Sequence, residues 1–314
     1  MIDSGETPIF TFGFERSGTT LLSMMLGAHP DLAVPFSPTG LWFRYHQELE
    51  LYDQLRQQAD RDRLIQDILQ EERIQIWDAV PEFEDIRERV ADGGYRRVVA
   101  AFHEFYAQYH GKPRWALHDI ATLYEMHIAN EWFPEARFLH IVRDVRDVAL
   151  SHKSYRYGSS NACEVSLAWR EAVRTNLMMG KILGPERYKV VRFEELIDAS
   201  EETLQQICDF FGLSFDVRML IYAEDVNRKV PAHIRSLWPA LGGQPDRSKI
   251  GRWREGLKSY EVAAVNEITE DVMAECGYEM DGQSKTLMKE AYLVGSMLAR
   301  GGRMRRLQRL FKVK

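Results

Sequence analysis

Short apolar runs that pass directly into helix-patterned stretches recur along this chain. The first run is Pro8-Ile9-Phe10-Thr11-Phe12, followed by a glycine-containing turn. A helix is predicted next through Thr20–Leu26, stopping near Gly27 and His29-Pro30. A shorter apolar piece, Trp115-Ala116-Leu117, precedes a helix reaching about Glu131. Arg137-Phe138-Leu139-His140-Ile141-Val142 reads as a strand flowing into a helix from Asp144, and Tyr188–Phe193 as another before a helix at roughly 200–211. Between them, residues 41–110 are dense in Glu, Gln, Arg, Asp and aromatics. Apolar positions there, such as Leu51, Leu55, Ile65, Ile68 and Leu69, recur at helical spacing and predict several helices and no strand.

Strands alternating with helices argue for an α/β fold, a parallel sheet flanked by helices on both faces. In such sheets ligands sit at the carboxyl ends of the strands. The expected organisation is one domain over residues 1–285, carrying a helical insertion at about 41–112, and a separate tail at 286–314. In that tail Arg300, Arg303, Arg305, Arg306, Arg309, Lys312 and Lys314 alternate with Met304, Leu307, Leu310 and Phe311. Two readings fit this basic amphipathic pattern: peripheral contact of 300–314 with anionic lipid or an acidic partner, and a solvated helix docked on its own domain.

Composition narrows the class. Of 314 residues, 45% are hydrophobic and 28% charged, the balance of an ordinary globular protein. No apolar stretch approaches the ~18 residues of a membrane span, and the first residues lack a signal-peptide pattern. Cys163, Cys208 and Cys276 are scattered without metal-ligand spacing, which suits a reducing cytoplasm, and no metal site is expected. A net charge of −6 argues against a general nucleic-acid binder.

The turn after the first strand carries the candidate chemistry. Gly13-Phe14-Glu15-Arg16-Ser17-Gly18-Thr19-Thr20 has the glycine spacing of the phosphate loop G-x-x-x-x-G-K-[ST], with Thr19 in the lysine position. Gly18 permits close backbone approach, and free N–H groups at the helix start point at an anion. The hydroxyls of Ser17, Thr19 and Thr20 add donors, and Arg16 a planar charge. The plain alternative is a Gly-Thr turn that only starts a helix. Without the lysine, ordinary ATP·Mg²⁺ chemistry loses its apparatus. Arg143 stands at the end of a second strand. Its spacing of four to Asp147 and again to Ser151 would place all three on one helix face, able to grip a second phosphate or to form a surface Arg–Asp pair.

These residues resemble a known family. Arg16-Ser17-Gly18-Thr19-Thr20, with Ala28-His29-Pro30 following, is similar to the 5′-phosphosulfate loop of sulfotransferases. Ile141–Ser151 resembles their 3′-phosphate motif, with Val145 where proline is usual. Val191-Arg192-Phe193-Glu194-Glu195-Leu196 and Cys208–Leu213 look like the next strand and helix, and Ser248–Arg254 resembles the late loop over the nucleotide. The resemblance implies 3′-phosphoadenosine-5′-phosphosulfate (PAPS) as donor, 3′-phosphoadenosine-5′-phosphate (PAP) as product, and a P-loop-like fold. It further implies Arg16 at the leaving oxygen, Ser17, Gly18, Thr19 and Thr20 on the 5′-phosphate, and Arg143 and Ser151 on the 3′-phosphate. Lys249, Gly251 and Arg252 would assist, with Phe193 near adenine.

The expected reaction moves a sulfuryl group to a hydroxyl of a small molecule, lipid or carbohydrate. Such an acceptor needs a base, for which His118 is the first candidate and Asp119, His46 and Glu48 the others. Val34-Pro35-Phe36-Ser37-Pro38 has no acid where the tyrosyl-protein branch tends to carry glutamate. The aromatic-rich insertion is expected to wall the acceptor pocket. Rival readings are a nucleotide-binding module without catalysis and a P-loop kinase using ATP and Mg²⁺.

Overall fold

The computed structural model describes residues 7–36, 40–90, 93–155, 158–233, 235, 241, 243–280, 290, 292, 295 and 296. The basic tail 300–314 lies outside the described residues.

Five parallel strands form one sheet: β1 (Ile9–Gly13), β2 (Leu32–Ala33), β3 (Arg114–His118), β4 (Arg137–Val142) and β5 (Tyr188–Arg192), ordered β2-β3-β1-β4-β5. Central β1 pairs Thr11 with His118 on one side and Phe12 with His140 on the other. The carboxyl end of β1 is therefore flanked by those of β3 and β4.

Helix α1 (Thr19–Gly27) follows β1. The insertion holds α2 (Leu41–Gln47), α3 (Gln58–Leu69), α4 (Glu72–Gln75), α5 (Phe83–Arg87) and α6 (Tyr95–Tyr109). Then come α7 (Thr122–Trp132), α8 (Val145–Lys153), α9 (Ala162–Leu183), α10 (Phe193–Asp198), α11 (Ser200–Phe211), α12 (Ala223–Lys229), α13 (Trp253–Gly256) and α14 (Ser259–Glu275).

Alternation along the strands divides the core. Phe10, Phe12, Leu117, Phe138 and Val142 face the insertion, α7, α9 and α14. Ile9, Ala116, Leu139, Ile141 and Val191 face α1, α11 and α12. Both faces are covered, so apolar residues fill most positions of the strands on either face, as a parallel sheet requires. Among the described residues no helix is long and apolar enough to cross a membrane.

Three expectations change. Residues 49–55 do not continue a regular helix: Asp53, Gln54 and Leu55 have positive φ, and Leu51 is 67% exposed. Phe193 leaves β5 and opens α10. Helix α8 begins at Val145, its first turn capped by the Asp144 carboxylate accepting from the Arg146 N–H, so Arg143 stands before the helix rather than on a shared face.

Candidate functional site

The loop between β1 and α1 leaves several hydrogen-bond donors without protein partners among the described residues. Gly18 precedes α1 at φ 89°, a left-handed conformation that glycine adopts without steric cost. Nothing larger fits, since a Cβ there would lie 2.4 Å from the Phe193 ring. The first bond of the helix runs from the Leu22 N–H to the Gly18 carbonyl, leaving the amides of Thr19, Thr20 and Leu21 without intrahelical partners. No acid occupies the first turn. Ser17 is fully buried, and its Oγ finds no hydrogen-bond partner among the described residues. An orphaned buried hydroxyl beside free helix amides is a donor set awaiting an acceptor.

Arg16 adopts φ 69°, uncommon for a residue with a side chain, and its Nε donates to Ser151 Oγ at 3.0 Å. The guanidinium also lies over the Tyr155 ring, 4.9 Å from its centroid. The backbone turn and two side-chain contacts together fix the direction of this charge.

Arg143 joins the same site from β4. It is 8% exposed, its Nη1 donates to the Arg16 carbonyl at 2.9 Å, and its Nη2 donates to the Lys249 carbonyl at 2.6 Å. Its guanidinium sits 4.4 Å from the centroid of Phe193. Burial holds its pKa below the usual arginine value, with Asp147 and Glu194 opposing that shift. The Nε is buried and has no partner among the described residues. The loop, β4 and the late segment thus converge on one cationic center, with Phe193 packed between Gly18 and Arg143. Free helix amides, an orphaned hydroxyl and two guanidinium groups in one place fit an anionic ligand.

The late segment contributes mainly backbone. Lys249 Nζ pairs with Asp246 at 3.1 Å while its carbonyl accepts from Arg143. The Gly251 N–H is spent on Asp147 Oδ2 at 2.7 Å, and the Arg252 side chain is exposed. Asp147 therefore holds the late loop instead of gripping a ligand with Arg143.

At the β3 end, His118 is buried, with Nδ1 3.1 Å from Thr11 Oγ1. Burial lowers its pKa to about 4, so the imidazole is neutral. In Asp119 both carboxylate oxygens lie 2.9 Å from the Gly40 amide, and Oδ1 also accepts from Ala121. Burial raises its pKa to about 7. His46 packs against Trp132 and Tyr95, and Glu48 ends α2, both within the insertion.

Two participants were not singled out by sequence reasoning: Tyr155 on Arg16, and Trp253, whose ring lies 4.0 Å beneath the Arg146 guanidinium. The spacing of four from Ser151 to Tyr155 was the available signal for the first.

Known proteins resemble this chain in sequence and in fold. The model described as "Sulfotransferase family" matches residues 8–217, more than half of the chain. A protein-tyrosine sulfotransferase of Drosophila melanogaster is 26% identical over 232 residues, covering 70% of this chain. The match spans only 41% of that relative's length. A putative protein-tyrosine sulfotransferase of Caenorhabditis briggsae is 25% identical, with 73% of this chain and 74% of the relative covered. The fold is shared with the sulfotransferase domain of the Synechococcus PCC 7002 olefin synthase, at TM-score 0.61, 23% identity and coverage of 89% of this chain and 98% of that one. It is also shared with a sulfotransferase domain from the curacin biosynthetic pathway, at TM-score 0.62, 20% identity and coverage of 88% and 99%. The chain belongs to the sulfotransferase family.

Proposed function

We propose that this enzyme moves the sulfuryl group of PAPS onto a hydroxyl of a small molecule, lipid or carbohydrate. The observation that supports this reading is the junction of Arg16, Ser151 and Arg143 on neighboring strand ends, a set of charges and hydroxyls suited to two separate phosphates. Ser17, Gly18, Thr19 and Thr20 would hold the 5′ end, and Arg143 with Ser151 the 3′-phosphate. Lys249, Gly251 and Arg252 belong to the covering segment, with Phe193 beside the base.

PAPS supplies an activated sulfuryl group on a phosphate leaving oxygen. Arg16, fixed by Ser151 and Tyr155, would stabilize the charge that grows on that oxygen as the S–O bond breaks. In-line positioning does the rest, since a sulfuryl group carries little charge to neutralize. Thr19 in place of the loop lysine disfavors the kinase reading.

His118 lies at the end of β3, across β1 from Arg143, and is proposed to take the acceptor proton. His118→Asn would then lower kcat by about 10²–10⁴-fold with PAP binding retained. A histidine with its folded pKa near 4 stays deprotonated above that value, so the acid limb of kcat is expected near pH 4 with no break near 6.5. Unchanged kcat in the variant moves the base to Asp119, His46 or Glu48.

The activity itself is tested by incubating the protein with ³⁵S-labeled PAPS and a panel of phenol, sterol, saccharide and peptide hydroxyls. Label on a hydroxyl with matching release of PAP is the expected result. Transfer of the γ-phosphate from labeled ATP·Mg²⁺ to the same panel would replace this reading with a kinase.

A further inference from the structure

We infer that Asp147 is a positioning residue that latches the late loop over the nucleotide and so sets how long the 3′-phosphorylated ligand stays bound. The inference rests on the nucleotide reading above and concerns a residue that touches no ligand in it. Asp147 is 2% exposed, one of four buried acids among the described residues, with Asp119, Asp144 and Glu261. Its two oxygens are divided between two amides of one short segment, Oδ2 accepting from Gly251 at 2.7 Å and Oδ1 from Trp253 at 2.9 Å. A carboxylate bonded to two backbone N–H groups fixes both distance and orientation of the strand of chain that carries them.

Its side chains add further anchors, an ion pair of the exposed Arg247 with Asp198 at 3.1 Å and the packing of Ile250 against the core. Arg247, Ser248 and Arg252 are exposed or nearly so, and one side of the loop borders a cavity of about 320 Å³ lined by Asp147, Gly251, Trp253, Arg146 and Tyr278. The remaining ties are the Trp253 ring, packed against Arg146, and the bond from Arg143 Nη2 to the Lys249 carbonyl. That last bond gives the latch its consequence. Gly251, bonded to Asp147, turns at φ 73°, and two residues earlier the Lys249 carbonyl meets Arg143. One face of Arg143 is thereby occupied by protein, and the guanidinium is aimed before any ligand arrives. Releasing the loop would remove one of the two carbonyls that aim Arg143 and would uncover the ligand edge nearest it.

Asp147→Asn keeps the size of the side chain and one acceptor oxygen while presenting an NH₂ to a second donor. Loss of one charge-assisted bond corresponds to about tenfold or more in affinity. The expected result is PAP binding weakened by that factor through a faster off-rate, with adenosine 5′-phosphate binding unchanged. KM for PAPS should rise with kcat kept or raised. In the unaltered protein, hydrogen exchange at the Gly251 and Trp253 amides should slow with PAP and not with adenosine 5′-phosphate, a measurement that needs no variant to fold. Equal loss for both nucleotides, no loss, or exchange at those amides indifferent to PAP would overturn the latch. If the unaltered protein does not prefer PAP to adenosine 5′-phosphate, the nucleotide reading fails instead, and the two failures are told apart.

Discussion

Arg16→Ala is expected to lower kcat for sulfuryl transfer by about 10²–10³-fold, the usual cost of removing one preorganized donor from a site of developing charge. The size of the effect follows from how the side chain is held. Its guanidinium is anchored at Nε by Ser151 and stacked on Tyr155, so its charge sits in one direction and needs no reorganization during reaction. Alanine would occupy the same left-handed backbone position, with φ 69°, at no more strain than arginine, and the loop should survive. Nucleotide affinity is therefore expected to fall far less than kcat. Arg16→Lys should recover part of the rate, because charge returns without the fork that meets Ser151. Steady-state kinetics with a true acceptor read this result, and a variant that keeps full kcat would remove Arg16 from the leaving-group role.

Arg143→Ala carries the second large effect, on discrimination. Hydrogen bonds to charged groups contribute about 1.5–3 kcal/mol each, so PAP should bind roughly 10–100-fold more weakly. Adenosine 5′-phosphate, which lacks the 3′ group, should lose much less. A separate cost falls on the nucleotide-free protein. Arg143 satisfies the carbonyls of Arg16 and Lys249 from a nearly buried position, and removing it leaves two acceptors for water to reach. About 1–3 kcal/mol of stability should go with them. Arg143→Lys, able to reach one carbonyl, should restore more stability than discrimination. Calorimetric affinity for the two nucleotides separates the effects; equal losses would take Arg143 out of the 3′ site.

The parts of this protein that were legible in the sequence are those where one local rule decides. Strands β1 and β4 carry apolar residues on both faces, β5 has Tyr188, Val190 and Val191 beside Lys189 and Arg192, and each emerged within a residue of its observed span. The turn at Gly18 was equally readable, because a glycine between strand and helix marks the left-handed position without help from distant chain. The two-residue strand β2 was not, being shorter than any period can show. Around Leu51 the helical spacing misled, because spacing carries no information about the left-handed turn at Asp53 and Gln54 that breaks the helix.

The site divides in the same way. Arg143, Asp147 and Ser151 share a spacing of four, yet they do three different things because the helix starts only at Val145. Ser151 turns to Arg16, Arg143 to two backbone carbonyls, and Asp147 to two backbone amides far along the chain. Partners separated by more than a hundred residues leave no local signature. The same is true of Asp119, whose bond to Gly40 ties the start of the insertion to β3.

The most direct test of the account is a calorimetric titration of the unaltered protein with PAP and, separately, with ADP and Mg²⁺. One site per chain for PAP, with ADP·Mg²⁺ at least about tenfold weaker, is the predicted result, since a 3′-phosphate held by Arg143 adds charge-assisted bonds that ADP cannot make. Equal or tighter binding of ADP·Mg²⁺ would contradict it, and would return the loop at Gly18 to ordinary nucleoside di- and triphosphates.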